Sequence, residues 1–190
     1  MKNLTLPTRY ICGLDELKGN SDKGVVHALS LVDPDLPEIE YFETYGTMRR
    51  LVLRLHDIID PVPGMILPEV SHVQAILDFG REIEGEGDAT GALLVHCHMG
   101  VSRSTAAMTA ILAQAHPEND EDGIFETLRT IRPQAWPNSL MIEFADDLLG
   151  RDGRLVSALR RHYGTQMRAK PELSDWMVRL NRGREVDMAQ

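Results

Sequence analysis

Cysteine, long apolar runs and positive charge are all scarce in this sequence of 190 residues. Its two cysteines, Cys12 and Cys97, are too few for a disulfide framework or a cysteine-rich zinc site, and they favour a reducing, cytoplasmic location. No apolar run approaches the ~18 residues of a membrane-spanning helix, and we expect no secretory signal. These absences argue against a membrane protein and against a disulfide-rich secreted domain.

The charge balance is acidic, with 20 basic and 29 acidic residues and a net charge of −9. A general nucleic-acid-binding surface needs a basic field, so we expect no nucleic-acid partner. The last 40 residues differ, because residues 151–190 contain nine basic and five acidic side chains. This basic segment is either a solvated helix face or a docking surface for an acidic partner.

The order of apolar patterns predicts an α/β fold. The composition, 43% hydrophobic and 26% charged, is that of an ordinary globular domain. Short apolar runs predict four strands, at 9–12, 25–32, 51–56 and 92–96. Helical spacing predicts helices at 69–83, 103–115, 121–131, 138–149, 152–163 and 172–181. We therefore expect a mainly parallel central sheet with helices on both faces and an all-helical second half.

The segment after the last predicted strand has the residue types of a phosphate-handling loop: His96-Cys97-His98-Met99-Gly100-Val101-Ser102-Arg103-Ser104. In a parallel sheet this place, beyond the carboxyl end of a strand, is where ligands bind. A loop that leads into a helix can direct successive backbone N–H groups at one anion. Gly100 gives its backbone the freedom to make the bend.

Three side chains of this segment predict phosphoryl transfer. Cys97 would face the N–H groups and the positive end of the helix, both of which stabilise a thiolate. Arg103 can return to the same point and bind two phosphate oxygens with its planar guanidinium. Ser104 can donate to the sulfur and stabilise it as a leaving group in a second step. Together they indicate catalysis through a cysteinyl-phosphate intermediate.

The motif resembles the signature of cysteine-based protein tyrosine phosphatases: Cys-x5-Arg-Ser, with His before the cysteine and Gly three residues after it. It looks like the dual-specificity branch, and Ile131-Arg132-Pro133 and Pro137-Asn138 are similar to that branch downstream. The resemblance covers roughly residues 9–150. The whole pattern is also similar to a bacterial family of small predicted tyrosine phosphatases.

The resemblance implies a protein tyrosine phosphatase-like catalytic domain at 1–150, with 151–190 as a helical extension packed on the same domain. It implies that His96 orients the loop, that Asn138 braces it, and that Arg132 is structural. It also implies that the phosphate is bound by the loop residues His98, Met99, Gly100, Val101, Ser102 and Arg103.

The general acid is the least determined part of the site. Related phosphatases use an aspartate on a loop that follows a neighbouring strand. Asp57, at the end of the 51–56 strand, and Asp60, just beyond it, both satisfy this description. We favour Asp57 because it directly follows the strand, whereas Asp60 precedes Pro61 and has the character of a turn residue.

Two further residue types, the second cysteine and the tryptophans, lie outside the motif. Cys12 could form a redox pair with Cys97 if its strand ends at the same edge of the sheet, but a small buried side chain is the simpler interpretation. The two tryptophans, Trp136 and Trp176, are predicted to fill the core.

The sequence therefore predicts a cysteine-dependent phosphatase that needs neither cofactor nor metal. The expected substrates are proteins carrying phosphotyrosine, with phosphoserine and phosphothreonine as further candidates. A phosphoinositide or a nucleotide or RNA 5′-phosphate is an alternative substrate, and a phosphopeptide-binding module with little turnover is an alternative function. We expect no membrane partner, and the oligomeric state is left open.

Overall fold

A parallel four-stranded sheet lies at the centre of the computed structural model, which describes residues 8–85 and 91–190. The strands are β1 Thr8–Cys12, β2 Val25–Val32, β3 Arg49–Arg54 and β4 Ala92–His96. Their spatial order is β1-β4-β2-β3, and every pair is parallel. All four carboxyl ends therefore meet at one edge of the sheet, and β4 ends between its two neighbours.

Within residues 8–85 and 91–190, seven α-helices follow or connect the strands. They are α1 Val70–Gly85, α2 Arg103–Ala115, α3 Glu121–Ile131, α4 Ser139–Leu148, α5 Arg154–Ala169, α6 Glu172–Arg179 and α7 Gly183–Asp187. Two short 3-10 helices, Leu14–Asn20 and Glu40–Thr44, precede β2 and β3. Polar caps begin two of the α-helices: Asp120 accepts from the Gly123 N–H (2.7 Å) and Asn138 from the Met141 N–H (3.2 Å).

The two faces of the sheet are covered by different kinds of helix. On β4, Leu93 and Val95 pack into the large core formed with the α-helices, whereas Leu94 packs into a smaller cluster on the other face. That cluster includes Leu17 and Phe42 of the 3-10 helices. The α/β class with a parallel sheet flanked by helices is confirmed, and the helices on the second face are the two short 3-10 helices.

Several element boundaries differ from those predicted. Strand β3 ends at Arg54, so Asp57 lies on the loop three residues beyond the strand rather than directly at its end. Helix α5 continues to Ala169, because Tyr163 and Gln166 are buried and extend its apolar face past the predicted end at 163. The predicted helix at 172–181 ends at Arg179, and a separate short helix, α7, follows it.

The last three helices share the large core with the rest of the chain. Leu155, Leu159 and Tyr163 of α5 and Met177 of α6 belong to the same buried cluster as the strands. The basic segment is not uniformly solvated, because Arg151 and Arg182 are buried. Among the described helices, none is long and apolar enough to span a membrane.

Candidate active site

The loop of residues 97–102 begins where β4 ends and leads directly into α2. Gly100 has a φ of +67°, in the left-handed region. A Cβ there would lie 2.5 Å from the backbone carbon of Cys12, so the end of β1 leaves no space for a side chain. Both conditions require glycine at this position, as the motif predicts.

Groups outside the loop hold its carbonyl oxygens. The His98 oxygen accepts from the Leu14 N–H (2.9 Å), and the Val101 oxygen accepts from the Trp136 N–H (2.8 Å). The Arg132 guanidinium donates to the oxygens of Gly100 (2.9 Å) and Met99 (3.1 Å). In a planar peptide the N–H points opposite to its C=O, so outward carbonyls turn the loop N–H groups toward the interior of the bend. This arrangement suits an anion.

Cys97 and Ser104 lie side by side at the base of the loop. The Cys97 Sγ and the Ser104 Oγ are 3.1 Å apart, and both residues are buried. A hydroxyl at this distance can donate to a thiolate. The contact is the one that the sequence predicts for a serine that stabilises sulfur as a leaving group.

Arg103 presents one edge of its guanidinium for a ligand. Its Nη1 donates to Asp33 Oδ1 (2.6 Å) and to the backbone oxygen of Leu55. Its Nε is buried and has no hydrogen-bond partner, and Nη2 makes a long contact of 3.5 Å with His98 Nδ1. The edge formed by Nε and Nη2 is thus the part able to bind two oxygens of a phosphate.

Asp57 faces the same pocket with one carboxylate oxygen already bound. Its Oδ1 accepts from the Ser102 hydroxyl (2.6 Å), the Asn138 amide (3.1 Å) and the Arg182 guanidinium (3.2 Å). Burial raises the pKa of Asp57, but the charges of Arg182 and Arg103 and these hydrogen bonds lower it below its ordinary value. Since all three contacts fall on Oδ1, Oδ2 is the oxygen able to carry and transfer a proton.

Asp60 lies outside this pocket. Its side chain is 52% exposed, forms an ion pair with Arg184 (3.3 Å) and lines a neighbouring cavity. The structure therefore brings Asp57 together with Cys97 and Arg103, and it separates Asp60 from them. The role of general acid itself stays a prediction.

The supporting residues of the prediction lie behind the loop. The His96 Nε2 lies 2.7 Å from the Ser30 Oγ, and burial lowers the pKa of His96 to about 4, so the ring is neutral at pH 7. Asn138 joins two loops, because its amide also donates to the Ile58 oxygen (3.1 Å).

Cys12 and Cys97 are both free and both buried. Cys12 packs on the face of the 3-10 helices, whereas Cys97 packs in the large core on the other face. Burial, together with Glu16, raises the pKa of Cys12 to about 12. Its thiol is therefore protonated near neutral pH, which makes it a poor nucleophile.

The pocket has a volume of about 320 Å³ and extends beyond the loop residues. His98, Met99, Val101 and Ser102 line it together with Cys97 and Arg103. The lining also includes residues that the sequence did not predict for the site: Asp33, His56, Ile58, Met65, Trp176, Met177, Leu180 and Arg182. The prediction that Trp176 is a core filler is thus incomplete, since it is half-buried and lines the pocket, whereas Trp136 is fully buried.

The missed residues differ in the signal that could have found them. Asp33 directly follows β2, which neighbours β4, so its place at the carboxyl edge was open to inference. Trp176, Leu180 and Arg182 lie in the basic segment, where no local motif marks them. Within the described residues, no group of three His, Cys, Asp or Glu side chains is placed to hold a metal ion.

Comparisons with known proteins agree with this geometry. Residues 63–145 match the family model for protein-tyrosine phosphatase. Dual specificity protein phosphatase 12 of Rattus norvegicus is 39% identical over 80 residues, which are 40% of this chain and 22% of that protein. The human protein of the same name is 38% identical over 80 residues, again 40% of this chain and 22% of that protein. The chain thus spans about a fifth of the length of the curated relatives that it matches.

Solved structures show the same fold. Human DUSP28 aligns with a TM-score of 0.56 and 18% identity over 76% of this chain and 96% of that chain. The comparison leaves about a quarter of this chain without a counterpart in that structure. The family match over residues 63–145, the sheet and the loop together confirm that this chain resembles cysteine-based protein tyrosine phosphatases of the dual-specificity-like branch.

Proposed function

We propose that this chain hydrolyses phosphate monoesters, with phosphotyrosine in proteins as its principal substrate, and that residues 8–150 form the catalytic part of one domain with the C-terminal helices. The observation that supports this most strongly is the convergence of three groups on one pocket of about 320 Å³: the Cys97 sulfur, the free edge of Arg103 and the Asp57 carboxyl.

The first step transfers the phosphoryl group to the enzyme. The phosphate lies in the loop, held by the inward N–H groups and by Nε and Nη2 of Arg103. The Cys97 thiolate attacks phosphorus, an S–P bond forms, and the bond from phosphorus to the ester oxygen breaks. The negative phosphate beside Asp57 opposes the effect of the arginines and favours its protonated form in the complex, so Asp57 gives a proton from Oδ2 to the departing oxygen and the alcohol leaves neutral.

The second step releases phosphate. Asp57, now a carboxylate, takes a proton from a water molecule whose oxygen attacks phosphorus, and the S–P bond breaks. Ser104, 3.1 Å from the sulfur, donates to the thiolate as it leaves. The step yields inorganic phosphate and restores both the thiolate and the protonated acid. Neither reaction step requires a metal ion, because Arg103 and the loop N–H groups stabilise the negative charge of the phosphate oxygens.

The pocket wall supports an aryl phosphate better than a polyphosphate. Trp176, Met177 and Leu180 give it an apolar side, and its two arginines, Arg103 and Arg182, already face carboxylates. A phosphoinositide or a nucleotide brings further negative charge that these side chains would not match. The same chemistry supports a phosphoprotein as the physiological partner and agrees with a reducing, cytoplasmic location for the Cys97 thiolate.

A substrate panel tests the proposal. Phosphotyrosine peptides, phosphoserine peptides, a soluble phosphoinositide and a nucleotide monophosphate are compared by phosphate release, with Cys97→Ser as the baseline. We expect the phosphotyrosine peptide to have the highest kcat/KM. A higher kcat/KM for the phosphoinositide or the nucleotide would show that this compound, and not phosphotyrosine in proteins, represents the substrate class. Binding of phosphopeptide without release by the wild type would reassign the chain as a binding module.

A further inference from the structure

Arg182 is a buried cation that reaches the active site from the far end of the chain. It lies just before α7, and its side chain is 1% exposed. Its Nη1 donates to the Ser102 Oγ (2.6 Å) and to Asp57 Oδ1 (3.2 Å). The Ser102 hydroxyl in turn donates to the same Asp57 oxygen (2.6 Å). One guanidinium nitrogen thus contacts both the phosphate loop and the candidate acid.

Glu185 holds this guanidinium in place. Its carboxylate is fully buried and accepts from Arg182 Nε (2.9 Å) and Nη2 (2.8 Å). It also accepts from the Trp136 indole N–H (2.8 Å) and the Ser139 backbone N–H (2.7 Å). A buried charge needs paired charges and hydrogen bonds, and Glu185 has both. The pair is therefore fixed to the segment that braces the loop.

We propose that Arg182, anchored by Glu185, is a positioning residue of the active site: it orients the Asp57 carboxyl and the Ser102 hydroxyl, and it makes the C-terminal helices part of the catalytic unit. The proposal deepens the proposed function and rests on it. Arg182 binds Oδ1 of Asp57 and leaves Oδ2 available to a substrate. It thereby determines which carboxylate oxygen exchanges the proton.

The charge of Arg182 also sets how readily Asp57 holds a proton. The charged groups that face Asp57 are Arg182 from the C-terminal segment and Arg103 from α2, while Ser102 and Asn138 are its neutral donors. Behind Arg182 lie Glu185 and the Tyr163 hydroxyl, which donates to the Pro137 oxygen. Loss of the Arg182 charge removes one of the two cations that stabilise the carboxylate, so the pKa of Asp57 rises.

The neighbouring arginine provides a matched control. Arg184 lies in α7, two residues after Arg182; its side chain is 49% exposed and pairs with Asp60 instead of Asp57. The variants are Arg182→Lys, which keeps the charge, Arg182→Gln combined with Glu185→Gln, which removes both charges of the buried pair, and Arg184→Gln. The double variant avoids an unpaired buried carboxylate, and circular dichroism checks that each variant is folded.

Two readouts are taken on each variant. The first is the pH profile of kcat/KM on an aryl phosphate with a poor leaving group. The second is the pKa of Asp57, followed by carboxyl carbon NMR. We expect the double variant to raise the Asp57 pKa and the alkaline limb of the profile by about half a pH unit or more, because the contacting charge of Arg182 is lost and removal of the more distant Glu185 offsets only part of that effect. Arg182→Lys and Arg184→Gln leave both near the wild-type values.

The NMR titration separates this inference from the proposed function. An Asp57 pKa unchanged in the folded double variant would overturn the positioning role, whatever the activity. A shifted alkaline limb in Arg184→Gln but not in the double variant would do the same and would assign the acid to Asp60. A raised Asp57 pKa in a chain that hydrolyses no phosphate ester would uphold the positioning and refute the proposed function.

Discussion

The segment from β4 to α2 and the segment from α5 to α7 each bring one buried arginine to the same pocket. The first supplies Arg103, which contacts Asp33 and keeps one edge free for a ligand. The second supplies Arg182, whose nitrogens are all directed at protein groups. The difference supports the division of roles that we propose: Arg103 binds phosphate, and Arg182 holds the residues around it.

Each of the two segments also contains one buried histidine that is hydrogen-bonded to its neighbours. His96 lies under the loop against Ser30, and His162 of α5 lies between the Arg129 guanidinium (3.0 Å) and the Ala135 oxygen (3.0 Å). Burial lowers the pKa of each ring to about 4, so both are neutral at pH 7. In each segment the charged group at the site is an arginine, and the imidazoles serve as neutral hydrogen-bonding groups in the core.

The largest expected effect falls on the nucleophile of the first segment. Cys97→Ser should lower kcat by about 10⁴-fold or more, the scale on which loss of a nucleophile acts. Phosphate should still bind, because the loop N–H groups and Arg103 are retained. The measurements are turnover and phosphate binding by calorimetry. A variant that kept a tenth of the wild-type rate would contradict the covalent mechanism.

The second largest effect is expected at Asp57, the carboxyl group that both arginines face. Asp57→Asn should slow release of a poor leaving group such as tyrosine by about 10²–10⁴-fold, the usual contribution of general acid catalysis. A nitrophenolate, which leaves without a proton, should be slowed much less. Asp60→Asn is the matched control and should show no leaving-group dependence. The reverse pattern in the two variants would assign the acid to Asp60.

Exchange of each arginine for lysine compares the two segments directly. Arg103→Lys keeps the charge but loses the planar donor edge, so KM should rise and kcat should fall by at least about 10²-fold. Arg182→Lys should cost less than tenfold in kcat, because a lysine ammonium can still give one charge and one donor to Asp57 and Ser102, which Arg182 contacts through Nη1 alone. Steady-state kinetics on one aryl phosphate measures both variants. Equal losses of kcat in Arg103→Lys and Arg182→Lys would contradict the different roles proposed for the two arginines.

The smallest effect concerns stability rather than rate. Since the folded chain binds protons on His96 and His162 only near pH 4, whereas the unfolded chain binds them near 6.5, the free energy of unfolding falls as pH decreases through this range. The loss should be on the order of 3 kcal/mol for each histidine, and it is absent above about pH 6.5. Urea unfolding at several pH values checks this, with His162→Gln as the comparison. An unaltered pH dependence in that variant would contradict the neutral, buried state of His162.

Contiguous residues of the site could be predicted from the sequence, and distant ones could not. The loop from Cys97 to Ser104 is one local motif between a strand and a helix, so its residues and its glycine follow from the chemistry of anion binding. Arg182 meets Ser102 across 80 residues of chain, and only the packing of α5–α7 brings them together. Helix boundaries at α5 and α6 were missed for the same reason, since buried tertiary contacts fix them.

Trapping of the phosphoenzyme tests the central claim most directly. Wild-type chain is mixed with an excess of aryl phosphate, quenched in acid within the first turnovers, digested and analysed by mass spectrometry. The account predicts one phosphoryl group on the Cys97 peptide, absent from Cys97→Ser and accumulating when release is slowed in Ser104→Ala. Sustained hydrolysis by the wild type with no phosphoryl group on Cys97 at any quench time would contradict it.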